Sequence, residues 1–383
     1  MAYPTLNTNE VISALYNQII GIHTFGDNVA GTYDELLNMN RIEGGLYGDT
    51  KLFIGVDALA SSPWGNDAEA ANLLGIDRPA APATQAVVLD QFRQIRVTLD
   101  NYMTKRAFGT EGAFQQFNDV VRGWINDTKR IYESTLFNSY VGTTESNSGK
   151  QEVVINAVSG QNAGLTIAEG LANLLVDVKD VSRSYNDNGF IRSYAEGDLV
   201  VVWNSKFMNQ ITKVNLPVVF HKEGLLGEVK QVVLPSRYFG IAIDSSNISS
   251  YIADTPTTGK PISSSTGAYT PGSNNANGTV RALVEKTVTV GGTVYHVFPG
   301  DELPAGAIVV GFDAQFDYGE FYIEDATVAF KLMTKRSVPF MSAMNVATSF
   351  FNARSLTENQ YLTFGYNTLA YLKDKPFVTA RYQ

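Results

Sequence analysis

The sequence predicts an α+β protein organised around one unusually long helix, and three observations carry that prediction. The first is the stretch from Thr110 to Gly142. Placed at about 100° per residue, Phe114, Phe117, Val120, Val121, Trp124, Ile125, Ile131 and Tyr132 fall on one side, whereas Asp119, Arg122, Asn126, Lys129, Arg130 and Glu133 fall on the other. No proline interrupts the stretch, and at roughly 1.5 Å per residue it would extend about 48 Å, far beyond an ordinary globular helix. Such a helix needs a long partner surface for its aromatic stripe, either a sheet of its own chain or a neighbouring copy. The second observation is alternation: Ile95, Val97 and Leu99 interleave with Gln94, Arg96, Thr98 and Asp100, the period of a half-buried strand. The third is DLVVVW from Asp198 to Trp203, a run of buried-strand type that turns directly into the helical pattern NSKFMNQITKV.

Taken in order, the chain begins with a short amphipathic helix from Thr8 to Ile20, on which Val11, Ile12, Leu15, Tyr16, Ile19 and Ile20 share a face. Thr32 and Glu35 have capping-box spacing ahead of Leu36, Leu37 and Met39, so residues 1–45 read as a helical arm. Residues 46–109 place two apolar flanks around the weakly hydrophobic SSPWGNDAEAANLLGIDRPAAPAT. They read as a long two-stranded excursion with an irregular tip, and a small compact subdomain fits the same pattern. An isolated hairpin is marginal in water, so an excursion of this length is expected to lie on something. Residues 110–158 comprise the long helix and a strand from Glu152 to Val158. In residues 159–243, Thr166 and Glu169 form a capping box before the apolar face Leu171, Leu174, Leu175, Val178 and Val181. Strand-like runs follow the Asp198 strand at Leu216–Phe220, Val229–Leu234 and Tyr238–Ile243, which makes this part a compact α+β body. Residues 244–305 open with a tract of Ser, Thr, Gly, Asn and Pro that cannot supply a core, read as an exposed insertion. A hairpin from Lys286 to Phe298 turns there at Gly291-Gly292. Residues 306–383 return as strands in IVVGFD, FYIEDATVAFKLM and TLAYLKDKPFVTARYQ, with a Ser355–Glu358 capping box and a short helix between them. No internal repeat is visible.

Composition narrows the function. With 44% hydrophobic and 17% charged residues the chain can bury a sizeable core. Its 21 Phe and 19 Tyr favour extensive contact surface, because tyrosine suits interfaces that are apolar at one end and wet at the other. The lack of Cys excludes disulfides, thiolate metal sites and cysteine nucleophiles. A net charge of -9 argues against a general nucleic-acid-binding protein, which needs clustered Lys and Arg. No apolar run reaches membrane-spanning length and the start lacks the pattern of a secretory signal, so neither membrane insertion nor export by that route is expected.

Motifs that would carry chemistry are missing or incomplete. His23, His221 and His296 stand singly, without metal-ligand spacing. SNSGKQ around Lys150 fails as a phosphate loop, with Thr144 where its first glycine belongs and Gln151 where Ser or Thr belongs. The stretch at Asn186 fails as a calcium loop, since Ser184 and Ala195 occupy positions that need carboxylates. Asp313, Asp317, Glu320, Glu324 and Asp325 lie among aromatics and could form a glycosidase pair; the competing reading is an acidic strand face turned to solvent or to a basic neighbour. Neither G-x-S-x-G nor a dinucleotide fingerprint occurs. No catalytic residue, cofactor or metal is expected.

The order of elements, from helical arm (Thr8 to Met39) through extended loop (Leu46 to Arg106) and long helix (Thr110 to Gly142) to a strand and a body containing DLVVVWNSKFMNQITK, resembles the major capsid proteins of tailed bacteriophages. That is the Hong Kong-type capsid fold shared with encapsulins, and the local wording looks most like the proteins of small short-tailed phages. The resemblance implies a structural protein with an N-terminal arm, an extended β-loop, a spine helix, a peripheral sheet and an axial domain. It implies hexamers and pentamers that close into an icosahedral shell around double-stranded DNA in the host cytoplasm, with a procapsid that matures. A portal is expected, and because Met1 leads almost directly into the arm, so is a separate scaffolding protein. The spine's packing face would comprise Phe114, Phe117, Val121, Trp124, Ile125, Ile131 and Tyr132. The extended loop, with Lys51, Phe53, Trp64, Arg93 and Arg96, would lie over a neighbouring subunit. Lys105, Arg106, Arg122, Lys129 and Arg130 are the candidates for unspecific contact with packaged DNA. Two rivals follow from the residues: a carbohydrate-active or receptor-binding protein using Asp313 and Asp317, and another phage component such as a tail protein.

Overall fold

The computed structural model describes residues 34–44, 48–59, 61, 76, 78–100, 111–146, 151–213, 229–243 and 321–383, with short strands at 268–269, 280–282, 286–290, 293–297 and 307–308. In chain order these form α1 (Glu35–Asn40), β1 (Arg41–Glu43), β2 (Thr50–Gly55), β3 (Ala83–Asp100), α2 (Glu111–Thr143), β4 (Glu152–Ile155), α3 (Ala163–Lys179), β5 (Leu199–Asn204), α4 (Ser205–Lys213), β6 (Lys230–Leu234) and β7 (Gly240–Ile243). They continue with β8 (Ala268–Tyr269), β9 (Val280–Ala282), β10 (Lys286–Val290), β11 (Thr293–Val297), β12 (Ala307–Ile308), β13 (Phe321–Glu324), β14 (Val328–Thr334), β15 (Phe340–Asn352), β16 (Thr357–Asn367) and β17 (Phe377–Tyr382). The predicted helix from Thr8 to Ile20, the strand at Leu216–Phe220 and most of the Asp244–Gly278 tract lie outside the described residues.

Two five-stranded sheets carry the architecture. The long sheet has the order β1-β15-β16-β3-β2, and the body sheet the order β4-β17-β14-β5-β6. In the body sheet β5 is buried throughout, and its alternate residues serve two cores. Val200 and Val202 face α2 and the long sheet, whereas Leu199, Val201 and Trp203 face α3 and α4. That arrangement explains why DLVVVW is apolar without alternation: a strand covered on both faces has no wet side. The predicted hairpin also forms, β10 pairing β11 from Lys286↔Val297 to Val290↔Thr293.

Helix α2 runs unbroken through Gly123, and its C-terminal half sits where the two sheets meet. Tyr132, Phe137 and Val141 join one core with Phe340, Phe364 and Tyr366 of the long sheet and Met333 and Phe377 of the body. Here the helix is enclosed on more than its apolar stripe, since Glu133, Ser134, Asn138 and Ser139 are buried too. Glu133, expected on the polar side, is 3% exposed and accepts Arg41, Lys129 and the Ser342 hydroxyl. Nearer the N-terminus Ile125 packs on the sheet with Leu99 and Leu362. Trp124 departs from its expected place on the packing face: it is 50% exposed, because one residue before Ile125 the helix has turned about 100° away from the sheet. Ile131 is half-buried, and the side chains of Phe114, Phe117, Val121 and Arg122 lie outside the described set.

Two capping predictions are corrected. Helix α3 is capped by Asn162, whose side chain accepts the Gly164 amide at 3.0 Å, so Thr166 lies one turn inside the helix rather than at its start. The Ser355–Glu358 segment is no helix: it turns tightly, with Leu356 at φ 55°, and runs into β16. The pairing of the eleven-residue β16 on both sides outweighs a local capping pattern.

Candidate assembly surface

The segment expected to extend away from the body is a hairpin of β2 on β3, paired from Thr50↔Val88 to Gly55↔Ala83. It does not stand alone. β3, about 60 Å long at roughly 3.3 Å per residue, pairs along most of its length with β16, so the excursion lies on the chain's own C-terminal strands. Near Asp90 the register slips: Gln91 faces Tyr366 and Leu89 faces Asn367, leaving Asp90 unopposed. Its carboxylate instead accepts the Thr368 amide and hydroxyl, both at 2.8 Å. One extra residue inverts the faces of a strand. Ile95, Val97 and Leu99 therefore turn to α2, while Val87 and Leu89 turn to the opposite face and pack on Ile42, Met341 and Ala343.

The inversion leaves one row of the hairpin bare. Leu52, Ile54 and Val56, two residues apart on one face, are each about 60% exposed, and Val88 lies on the same face. Scattered single exposures need no explanation, but a continuous apolar row is a candidate contact surface. Opposite the hairpin, at the other edge of the long sheet, Val346–Asn352 is exposed on every residue, with Phe350 at 63% and Phe351 at 58%.

The loop end of the hairpin is clamped to the body. Asp57 accepts the Ile191 and Ala58 amides at 2.8 Å and Arg183 at 2.6 Å. These backbone and guanidinium donors, the Ile191 amide foremost, hold its carboxyl down to about 2. Arg192 bridges the Val56 carbonyl and Asp374, and Gln85 donates to the Tyr371 carbonyl while accepting the Lys373 amide. The crevice beside this clamp encloses about 200 Å³, below the usual size of a small-molecule site.

The expected functional residues scatter around this surface. Lys51 and Arg96 are exposed on the excursion, and Phe53 is half-buried. Arg93 is half-buried, and its guanidinium lies 4.3 Å from the centre of the Tyr132 ring, joining sheet to helix. Two of the basic candidates are likewise engaged: Lys129 pairs with Glu133, and Arg130 makes a two-pronged pair with Asp34 at 2.7 and 3.1 Å. Trp64, Lys105 and Arg106 lie outside the described residues, as do Asp313 and Asp317. Of the acidic-aromatic stretch, Asp325 is described and belongs to a structural cluster. Arg381 of β17 binds Asp325, Glu145 and Glu152, tying the C-terminal strand to the ends of α2 and β4. Burial alone would raise the Asp325 carboxyl, but the Thr327 hydroxyl and amide and Arg381 hold it below its ordinary value. Lys331, fully buried in β14, donates to the Thr144 carbonyl at the helix end. Among the described residues no group of His, Asp and Glu could hold a metal ion, and no helix is long and apolar enough to cross a membrane. Sequence reasoning missed Asp57 and Asp90, whose roles depend on partners far away in the chain.

Comparison with known proteins gives this geometry its meaning. Residues 2–379 match the family model of the Phi29-like phage major capsid protein. No curated protein sequence matches the chain. Among solved structures, the chain is similar to the capsid structure of Staphylococcus phage Andhra, with a TM-score of 0.55 at 11% identity over 90% of this chain and 84% of that one. It is similar to the same extent of coverage and identity, with a TM-score of 0.57, to the structure of head fiber and inner core protein gp22 of native bacteriophage P68. At such low identity these likenesses show the fold, which is of the Hong Kong type; they do not single out small short-tailed phages. The chain belongs to the Phi29-like phage major capsid proteins, and its role is that of a structural protein of the phage capsid.

Proposed function

We propose that the chain assembles into hexamers and pentamers that close as an icosahedral shell around double-stranded phage DNA, and that it does so as a structural protein with no catalytic step. The observation that carries this reading is the family match across residues 2–379, supported by the apolar row exposed on the β2–β3 hairpin. The proposed division follows the sequence: arm 1–45, extended loop 46–109, spine and start of the peripheral domain 110–158, axial domain 159–243, insertion 244–305 and return strands 306–383. A separate scaffolding protein and a portal complete the assembly, which takes place in the host cytoplasm. Contact with DNA is weak and unspecific. Arg122, Lys105 and Arg106 are its better candidates, since Lys129 and Arg130 already serve carboxylates of their own chain. Electron microscopy of the purified protein, with and without its scaffolding protein, tests the reading. Closed shells or ring-shaped capsomers are expected; a monodisperse monomer under both conditions, or tubes, would overturn it.

A further inference from the structure

The hairpin runs on past the end of its sheet. β3 pairs with β16 from Asp100 to Leu89, whereas β2 pairs with β3 beyond that point, from Val88 to Ala83. Thr50–Gly55 with Ala83–Val88 is therefore a two-stranded ribbon, about 20 Å long at roughly 3.3 Å per residue. Side chains support its root, where Val87 and Phe53 join Leu89 on Met341 and Ala343. A ribbon of two strands is marginal by itself, so its direction needs a second fixed point. The far end supplies one through the contacts of Asp57, Arg192 and Gln85 with the body. Gly55 closes in as well: a Cβ there would lie 3.2 Å from Asp374 Cγ and 3.3 Å from Phe190 Cε2.

The surface that receives this end is braced from within. Ser182 and Arg192 pair as an antiparallel bridge and close the segment between them. Inside it the buried Asn186 side chain donates to the Phe190 carbonyl and accepts the Phe190 amide, both at 2.8 Å. The Asp187 carboxylate accepts Ser146 and Gln151 at 2.5 Å and the Tyr371 hydroxyl, which ties the segment to the chain after α2 and to the connection from β16 to β17. An exposed ion pair such as Arg183–Asp57 adds little stability. What it adds here is geometry, since Asp57 takes a backbone amide and a guanidinium of the body at once.

We propose that Asp57, Arg183 and Arg192 are positioning residues for assembly: by fixing the far end of the ribbon on the body they set the direction in which it leaves the subunit, and with it the curvature of the shell. This rests on the capsid reading above and adds what holds the angle between subunits. A swing of about 10° would carry the far end of a ribbon of this length by about 3.5 Å, more than a hydrogen bond can stretch. Contacts between identical subunits close only when each one repeats the same rotation, so a small freedom in the ribbon is felt in the whole particle.

Particle size tests this. Asp57→Ala and Arg192→Ala, assembled under the conditions that give wild-type particles and imaged by electron microscopy, should at least double the spread of particle diameters or leave shells unclosed, with the urea midpoint of the subunit unchanged. Asp57→Asn, which keeps an oxygen for the Ile191 amide, should fall between Asp57→Ala and the wild type. Lys179→Ala, which removes the ion pair with Glu196 elsewhere on the body, should assemble as the wild type does. Folded Asp57 and Arg192 variants that give particles of wild-type size and spread overturn the proposal and leave the capsid reading standing. Hydrogen exchange on the wild type gives a second measurement, free of any substitution. The amides of Ala58 and Ile191 should be equally protected in dissociated subunits and in particles; exchange at least about tenfold faster in particles would show that the clamp opens on assembly, and overturns the proposal too. Failure of the wild type to form particles overturns the capsid reading as well.

Discussion

Among the described glycines, Gly142 has the least room for a side chain. A Cβ there would lie 1.9 Å from the Tyr238 carbonyl oxygen, a backbone atom that cannot swing aside. Gly142→Ala is expected to destabilise the subunit by about 3 kcal/mol or more, beyond ordinary overpacking, as measured by denaturant unfolding. Lys331 poses the opposite problem, a charge where the fold has little water. Burial pushes its ammonium down to about 7; Glu145 and Asp325 work upward against this, and Arg381 adds to it. The unfolded chain keeps that proton up to about 10.5, so between these two values the unfolded state binds more protons and stability rises with pH. Below pH 7 both states are charged and the full desolvation cost remains. Lys331→Met is expected to flatten the rise in unfolding free energy between pH 7 and 10, read from urea curves at several pH values, because a buried ion replaced by an apolar side chain of similar length no longer titrates.

At the scale of elements, the two halves of α2 answer to different neighbours. Phe137 is fully buried between sheets and meets Phe340 edge-on at 6.2 Å, whereas Trp124 stands half in solvent. Phe137→Ala should cost about 3–5 kcal/mol, and Trp124→Ala should leave subunit stability within about 0.5 kcal/mol, both by chemical denaturation. The hairpin β2–β3 depends on its clamp. Asp57→Ala removes the acceptor of the Ile191 amide and Arg183. Limited proteolysis should then cut near residues 57–59 several-fold faster while global unfolding stays unchanged, since the opening is local. Asp57, held down to about 2, keeps its clamp at neutral pH and loosens it only as pH falls from about 3.8 toward 2.

For the whole molecule, the apolar side chains exposed on β2 and β15 are surface that assembly can cover. Contacts made only in the folded, assembled state add to stability by mass action. Assembled particles should therefore melt at a higher temperature than dissociated subunits, with the subunit transition rising with protein concentration; scanning calorimetry at several concentrations measures both. The charge of -9 has a role at this scale as well. It argues against strong attraction of the chain as a whole to phosphate.

Local periodicity makes much of this protein legible in its sequence. The apolar stripe of the long helix, the strand alternation at Ile95, Val97 and Leu99, the buried run at Asp198–Trp203 and the hairpin at Lys286–Phe298 each depend on residues close in the chain, and the order of these elements by itself resembles a phage capsid protein. Capping patterns at Thr166 and Ser355 mislead, because a short pattern can match where longer pairings decide the backbone. Everything that defines the assembly surface comes from tertiary structure. The pairing of β3 with β16, the inversion at Asp90 and the capture of Glu133, Arg93 and Arg130 by other elements all join residues far apart in sequence. Periodicity determines which face of an element is apolar; which neighbour covers that face, and which row is left for another copy, is decided only when distant strands set their register.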